Sequence, residues 1–206
     1  MKANTATVFV VDDDSAIRAS LRLLLKSVGL PVSTYDSAQG FLDAYSDEWA
    51  GCVLLDVRMP GMSGPNLQQQ LNLRGSSLPV IFLTGHGDVS MAVEAMQHGA
   101  FDFVEKPFHD QDLIERVHAA LEHNAKARSQ LAERQSIRER FESLTPRERE
   151  VLQHVTRGDS NKVMAYDLNI SQRTIEIHRA RLMGKMQAPS LAHLVRMTFN
   201  LTPQAS

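Results

Sequence analysis

The sequence predicts a doubly wound α/β domain built on a five-stranded parallel sheet, followed by a long helix and an all-α segment of four short helices. Three observations predict it. Five short apolar or β-branched runs, at residues 7–11, 32–35, 52–55, 80–84 and 101–104, alternate with helix-period patterns. Residues 108–145 then hold neither Pro nor Gly. Beyond them, capping and stop residues recur at short intervals up to residue 200.

Each element has its own warrant. The strands read as continuously apolar, as parallel strands covered on both faces do. After the first strand, Ile17, Leu21, Leu24 and Val28 fall on one face of a helix. Leu113, Val117 and Leu121 do the same at the start of the long helix. Residues 124–139 are so polar that they read as a solvated connector or a coiled-coil arm. Thr145-Pro146-Arg147-Glu148 is a capping box with Pro at the first helical position, and Gly158 stops that helix. Residues 160–168 form a second helix, Asn169-Ile170-Ser171 a tight turn, Ser171 the cap of a third helix to Met186, and residues 190–200 a fourth. Two short helices joined by such a turn make a helix-turn-helix.

With 206 residues, 43% hydrophobic and 22% charged, the chain can bury a core and is too apolar to be disordered. It has no 18-residue apolar stretch and no secretory signal, so a membrane partner is not expected and a cytoplasmic location is. The lone Cys52 excludes an internal disulfide and a cysteine-based zinc site, and reads as a small buried apolar residue. His86, His98, His109 and His118 lack any repeated ligand spacing. The overall charge of −2 hides an asymmetry: residues 1–125 carry 8 Lys and Arg against 16 Asp and Glu, and residues 126–206 carry 14 against 8. A basic C-terminal part is an electrostatic hint of nucleic acid.

Val8-Phe9-Val10-Val11 runs straight into Asp12-Asp13-Asp14, and Val53-Leu54-Leu55 into Asp56. In an open α/β sheet the carboxyl ends of the strands form the ligand edge, and carboxylates crowded there repel unless a cation neutralises them. Mg²⁺ (or Mn²⁺) suits such oxygen donors, while Asp14 and Ser15 read as helix-capping residues. Thr84 closes the fourth strand and Lys106, followed by Pro107, the fifth. A carboxylate nucleophile with a metal, an ammonium and a hydroxyl around it suffices for phosphoryl transfer. Competing chemistries lack their residues: Arg58 stands where a dehalogenase-type phosphatase wants a second carboxylate, and no G-x-G-x-x-G follows the first strand.

Asp12-Asp13, Asp56-Val57-Arg58-Met59-Pro60 with Gly64, Thr84-Gly85-His86-Gly87-Asp88 and Lys106-Pro107 resemble the receiver domain of two-component response regulators, over residues 5–123 and with a flavodoxin-like sheet. The resemblance implies Asp56 as phosphoacceptor and Asp13, Asp56 and the Arg58 carbonyl as metal ligands, with Asp12 acting nearby through water. It also implies Lys106 on the phosphoryl group, Thr84 and Phe103 as a switch pair, and a cis bond before Pro107. Residues 89–97 and 101–104 would be the reshaped surface, where Met91, Val93 and Met96 either meet a second receiver or belong to the core.

After a helical linker at 124–142, residues 143–206 carry Thr145-Pro146-Arg147-Glu148-Arg149-Glu150-Val151-Leu152, Asn161-Lys162 and Arg173-Thr174-Ile175-Glu176-Ile177-His178, which resemble the LuxR-type DNA-binding domain. Together the halves resemble the NarL/FixJ family, closest to its FixJ branch. On the third helix Ile175, Leu182 and Met186 recur at core spacing, leaving Arg173, Glu176, Ile177, Ala180 and Arg181 outward for a major groove. Arg suits guanine edges and Glu can accept from cytosine, while Lys162, Thr174, Arg179 and Lys185 suit phosphate. Some relatives carry Lys in place of Glu176 and Ala180, so their operator sequence does not carry over. The expectation is a phosphorylation-controlled transcription regulator rather than a metabolic enzyme. Its expected partners are a sensor histidine kinase, double-stranded DNA, RNA polymerase and, when phosphorylated, a second copy. The alternative is a phospho-switch whose helical domain binds protein.

Overall fold

The structure is a computed structural model that describes residues 6–85, 93–94 and 96–199. The chain divides into two compact units, residues 1–128 and 129–206.

The first unit is a parallel sheet of β1 (Thr7–Val11), β2 (Val32–Tyr35), β3 (Gly51–Asp56), β4 (Val80–Thr84) and β5 (Asp102–Glu105). Their spatial order is β2-β1-β3-β4-β5, the flavodoxin-type doubly wound arrangement. Strand period 2 divides the core in two. Phe9, Val11, Val53, Leu55 and Phe82 face one side, where they meet Phe41 and Leu42 of α2 (Ala38–Ala44) and Leu67 and Leu71 of α3 (Gly64–Leu73). Val8, Val10, Leu54, Ile81 and Leu83 face the other, against Leu21 and Leu25 of α1 (Ser15–Ser27) and Leu113, Val117 and Ala120 of α4 (Asp110–Glu142). Truncating any one of these fully buried leucines to Ala costs about 2–5 kcal/mol. Cys52 is buried in the second layer, and burial pushes its thiol up to about 12. The α1 face is rotated from the expected one: Leu21 and Leu25 are fully buried, whereas Val28 is the exposed C-cap.

Helix α4 runs unbroken for 33 residues, and its polar middle is less solvated than its composition predicts. Asn124 is buried; its Oδ1 accepts from Gly51 N at 3.0 Å and its Nδ2 donates to the Ser77 carbonyl at 2.7 Å. Arg128 donates to the Trp49 carbonyl at 2.8 Å. Polar residues here satisfy the strand-entry backbone, which a hydropathy pattern cannot register. Gly51 has no room for a side chain, since a Cβ would lie 1.8 Å from the Thr7 carbonyl oxygen.

The second unit packs α5 (Pro146–Arg157), α6 (Asn161–Asp167), α7 (Gln172–Met186) and α8 (Leu191–Phe199) around Val151, Leu152, Met164, Ile175, Leu182, Met186 and Leu194, joined by Ile137 from the end of α4. Thr145 and Glu148 make both hydrogen bonds of the capping box, and Gly158 ends α5 at φ +85°. Between α6 and α7 the chain turns through Asn169 at φ +51°, a conformation Asn tolerates better than most side chains, and Ser171 Oγ accepts from Thr174 N at 3.0 Å.

Candidate functional site

Four strand ends build the first site. β1 delivers Asp12, whose N–H still donates to the Tyr35 carbonyl; β3 ends on Asp56; β4 ends on Thr84; and β5 delivers Lys106, whose N–H donates to the Thr84 carbonyl at 2.7 Å. The ladder therefore holds these side chains at one edge, whatever the loops do. Lys106 Nζ donates to Asp56 Oδ1 at 2.6 Å and to Asp12 Oδ2 at 2.8 Å. The second oxygen of each carboxylate accepts a backbone N–H: Asp56 Oδ2 from Arg58 at 2.8 Å, and Asp12 Oδ1 from Asp14 at 2.9 Å. Asp12 is 1% exposed and Asp56 13%, so only Asp56 opens to solvent enough to meet a substrate.

The electrostatics follow. Burial raises the pKa of Asp56, and the adjacent Asp12 charge adds to the rise, against the opposing pull of Lys106 and the Arg58 amide. The net rise leaves a more basic, more nucleophilic oxygen. Burial works against the Lys106 charge, but its hydrogen bonds and charge attraction to Asp12 and Asp56 outweigh it and hold its pKa above the ordinary lysine value.

Gly64 packs beneath this edge. Its N–H donates to the Val57 carbonyl at 3.0 Å, and a Cβ would lie 2.2 Å from the Asp56 carbonyl oxygen, so any side chain must displace the backbone of Asp56. Arg18 Nη1 donates to the Asp12 carbonyl at 2.7 Å, a contact with no signal in the sequence. Asp14 caps α1. Asp13 and the Arg58 side chain stand exposed at the rim. Thr84 is buried and its Oγ1 donates to the Val104 carbonyl at 3.4 Å, away from the three-residue ion-pair cluster, while Phe103 is 36% exposed. The Lys106–Pro107 bond is cis, as the resemblance implies. His86, Gly87, Asp88 and Met91 lie outside the described residues; Val93 and Met96 are exposed.

Among the described residues no three acidic, His or Cys side chains gather closely enough to cage an ion. The donors brought together here are the carboxylates of Asp12 and Asp56, both hard oxygens. That set fits Mg²⁺, which takes one or two carboxylates and keeps several waters.

The second site is the face of α7. Arg173, Glu176, Ile177, Ala180 and Arg181 are exposed, opposite the buried Ile175, Leu182 and Met186. Arg173 Nη1 lies 3.2 Å from Glu176 Oε2. Lys162 on α6 is exposed, and Thr174 is half-buried beside the cap. Arg179 donates to Asn161 Oδ1 at 2.6 Å, bracing α7 against the start of α6. Lys185 is committed differently: its Nζ donates to Glu148 Oε2 at 2.7 Å and to the Ser143 carbonyl at 3.1 Å. The ammonium expected at phosphate thus neutralises a buried capping-box carboxylate. The Lys185 hydrogen bond is the largest of the influences that hold Glu148 below the usual carboxylate range, against burial. The sequence shows the box, and only the fold brings α7 to it.

A family model of the response regulator receiver domain matches residues 8–118, and a model of bacterial regulatory proteins of the luxR family matches residues 142–198. The transcriptional regulatory protein FixJ of Azorhizobium caulinodans is 50% identical over 190 residues, 92% of this chain and 90% of that one. The response regulator protein TodT of Pseudomonas putida is 41% identical over 201 residues, 98% of this chain and 88% of its own. A low-resolution structure of the response regulator StyR superposes with a TM-score of 0.89 at 44% identity, covering 95% of this chain and 98% of StyR. Full-length FixJ from B. japonicum gives 0.59 at 45% identity, covering 96% and 98%.

Proposed function

Since the chain belongs to the two-component response regulators that join a receiver to a LuxR-type DNA-binding domain, we propose that phosphorylation of Asp56 controls how α7 meets DNA. The luxR-family match over 142–198 favours DNA over a protein partner for the helical unit. The observation that carries the site is Lys106, whose ammonium joins Asp12 and Asp56 across the ends of β1, β3 and β5.

In this reading an oxygen of Asp56 attacks the phosphorus of a phosphohistidine on the sensor kinase; the O–P bond forms as the P–N bond breaks and the imidazole leaves. Lys106 neutralises charge on the transferring phosphoryl oxygens, and the amide of Arg58 keeps the Asp56 carboxylate aimed. Asp13, Asp56 and the Arg58 carbonyl, with Asp12 acting through water, would hold Mg²⁺ (or Mn²⁺), which would supply charge neutralisation there. The new phosphoryl group draws Lys106 and the Thr84 hydroxyl, so Thr84 leaves the Val104 carbonyl and Phe103 moves with β5. Two receiver states whose balance this shifts constitute the switch. A pair of phosphorylated chains then reads two related half-sites, each through one α7, and pairing raises affinity through effective concentration. Arg173, Glu176, Ile177, Ala180 and Arg181 face the bases, and Lys162, Thr174 and Arg179 the phosphates. RNA polymerase is the partner such a DNA-bound pair would engage.

Incubation with acetyl phosphate and Mg²⁺ should add one phosphoryl group by mass, and omission of the metal should abolish it. Asp56→Asn should take up none; a labelled Asp56→Asn variant sinks the assignment.

A further inference from the structure

A carboxylate on a surface that approaches a polyanion needs a reason, and Glu176 is such a group: 52% exposed, mid-face on α7, one turn from Arg173. Surface ion pairs at this spacing add little stability, so the fold alone gives the pair no purpose. Its geometry matches something else. Arg173 Nη1, a donor, and Glu176 Oε2, an acceptor, lie 3.2 Å apart. In a G·C base pair the guanine O6, an acceptor, and the cytosine N4 amino group, a donor, are hydrogen-bonded neighbours about 2.7–3.2 Å apart on the major-groove edge. The two couples are complementary in order and in spacing.

The geometry points to Arg173 and Glu176 acting as one unit that reads a single G·C base pair in each half-site. This rests on the proposal that α7 enters the major groove. Arg173 donates to guanine O6 and N7, and Glu176 accepts from cytosine N4 while still accepting from Arg173, which closes a ring of hydrogen bonds. The other base pairs fail for stated reasons. A T·A pair shows the same acceptor–donor couple, O4 and N6, but gives the guanidinium one acceptor beside a methyl group in place of two and sets the N7 acceptor beside the carboxylate, while in A·T the carboxylate faces O4. A reversed C·G pair puts the amino group under the guanidinium and the carbonyl under the carboxylate, two like-with-like contacts. Glu176 is thus a specificity residue by attraction to G·C, a poorer fit to T·A and repulsion from the other two base pairs. Arg173 lies near the N-terminus of α7, the end of a recognition helix that meets base edges.

The test uses the full-length chain phosphorylated with acetyl phosphate and Mg²⁺. Bound sequences are selected from random duplexes, and the selected duplex is then assayed with every single base-pair change at fixed salt. One G·C pair per half-site should be preferred by about tenfold to a hundredfold. There, 7-deazaguanine or N4-methylcytosine should weaken the wild-type protein and leave the Arg173→Ala, Glu176→Ala double variant indifferent. Either single variant should lose preference at that same base pair, and the double variant should lose no more than a single one. Loss of preference at two different base pairs, or additive losses, overturns the paired reading while leaving α7 as the reader. If preference at every position survives in both single variants and in Ile177→Ala and Arg181→Ala, α7 does not read DNA and the proposal falls with it.

Discussion

Lys106 and Gly64 shape the surroundings of Asp56 through opposite properties, one by charge and the other by the absence of a side chain. Lys106→Met keeps the length of the side chain and leaves Asp12 and Asp56 facing each other without a cation. Loss of the charge that Lys106 sets against the phosphoryl oxygens should slow phosphorylation by acetyl phosphate, and repulsion between the carboxylates should tighten Mg²⁺ binding, which isothermal titration would register. Gly64→Ala should disturb both stability, by about 1–3 kcal/mol of overpacking, and the proposed labelling of Asp56, because the new methyl meets the backbone of that residue. Glu148 illustrates a different residue-scale effect. Its carboxyl titrates below its ordinary value in the folded chain, so it contributes stability that is present above the unfolded pKa, about 4.3, and lost as pH falls through the folded one. Glu148→Gln should lower the stability of the second unit near neutral pH by about 1–3 kcal/mol and flatten its acid dependence below pH ~5. Urea titrations followed by circular dichroism at several pH values check both.

At the scale of elements, α4 carries the clearest consequence. Asn124 makes three hydrogen bonds from a buried position, to Gly51 N and to the carbonyl and hydroxyl of Ser77. Asn124→Leu keeps the bulk and orphans two backbone groups at the entries to β3 and β4, so it should destabilise the first unit by about 2–4 kcal/mol, read as a lower urea midpoint, and leave the second unit unchanged. The same helix marks where sequence reading stops. Strands were legible because burial on both faces demands unbroken apolar runs, as in Val53, Leu54 and Leu55. Helix starts were legible where Asp14, Thr145 and Ser171 cap in ways local chemistry requires. The docking of Asn124 and Arg128 and the partnership of Lys185 with Glu148 were not, because each joins residues far apart along the chain through polar bonds with no periodicity; the Arg18 contact to Asp12 was not, because its acceptor is a backbone carbonyl that no side-chain pattern marks. The carboxylates and Lys106 were legible because sheet topology places strand ends together; the hydroxyl of Thr84, turned toward Val104, was legible in position and not in orientation.

For the whole molecule, the charge division sets the expectation. With 14 Lys and Arg against 8 Asp and Glu in residues 126–206, association with duplex DNA should weaken steeply as salt rises. Lys162→Ala should weaken all sequences alike and reduce the slope by about one, measured by fluorescence anisotropy of labelled duplex across a salt series. The two units hold separate cores, which makes a single two-state unfolding transition the wrong description of this chain. The molecule also carries its own means of telling its parts apart. Its one tryptophan, Trp49, stacks on Phe9 at 4.3 Å and belongs wholly to the first unit, whereas Tyr166, 86% exposed, belongs to the second. Indole emission is therefore an internal label for one half only. Without any added dye, its quenching and spectral position follow the melting of the sheet unit and the loosening of the Arg128 hydrogen bond to the Trp49 carbonyl, and are blind to the intrinsic unfolding of the helices that carry α7.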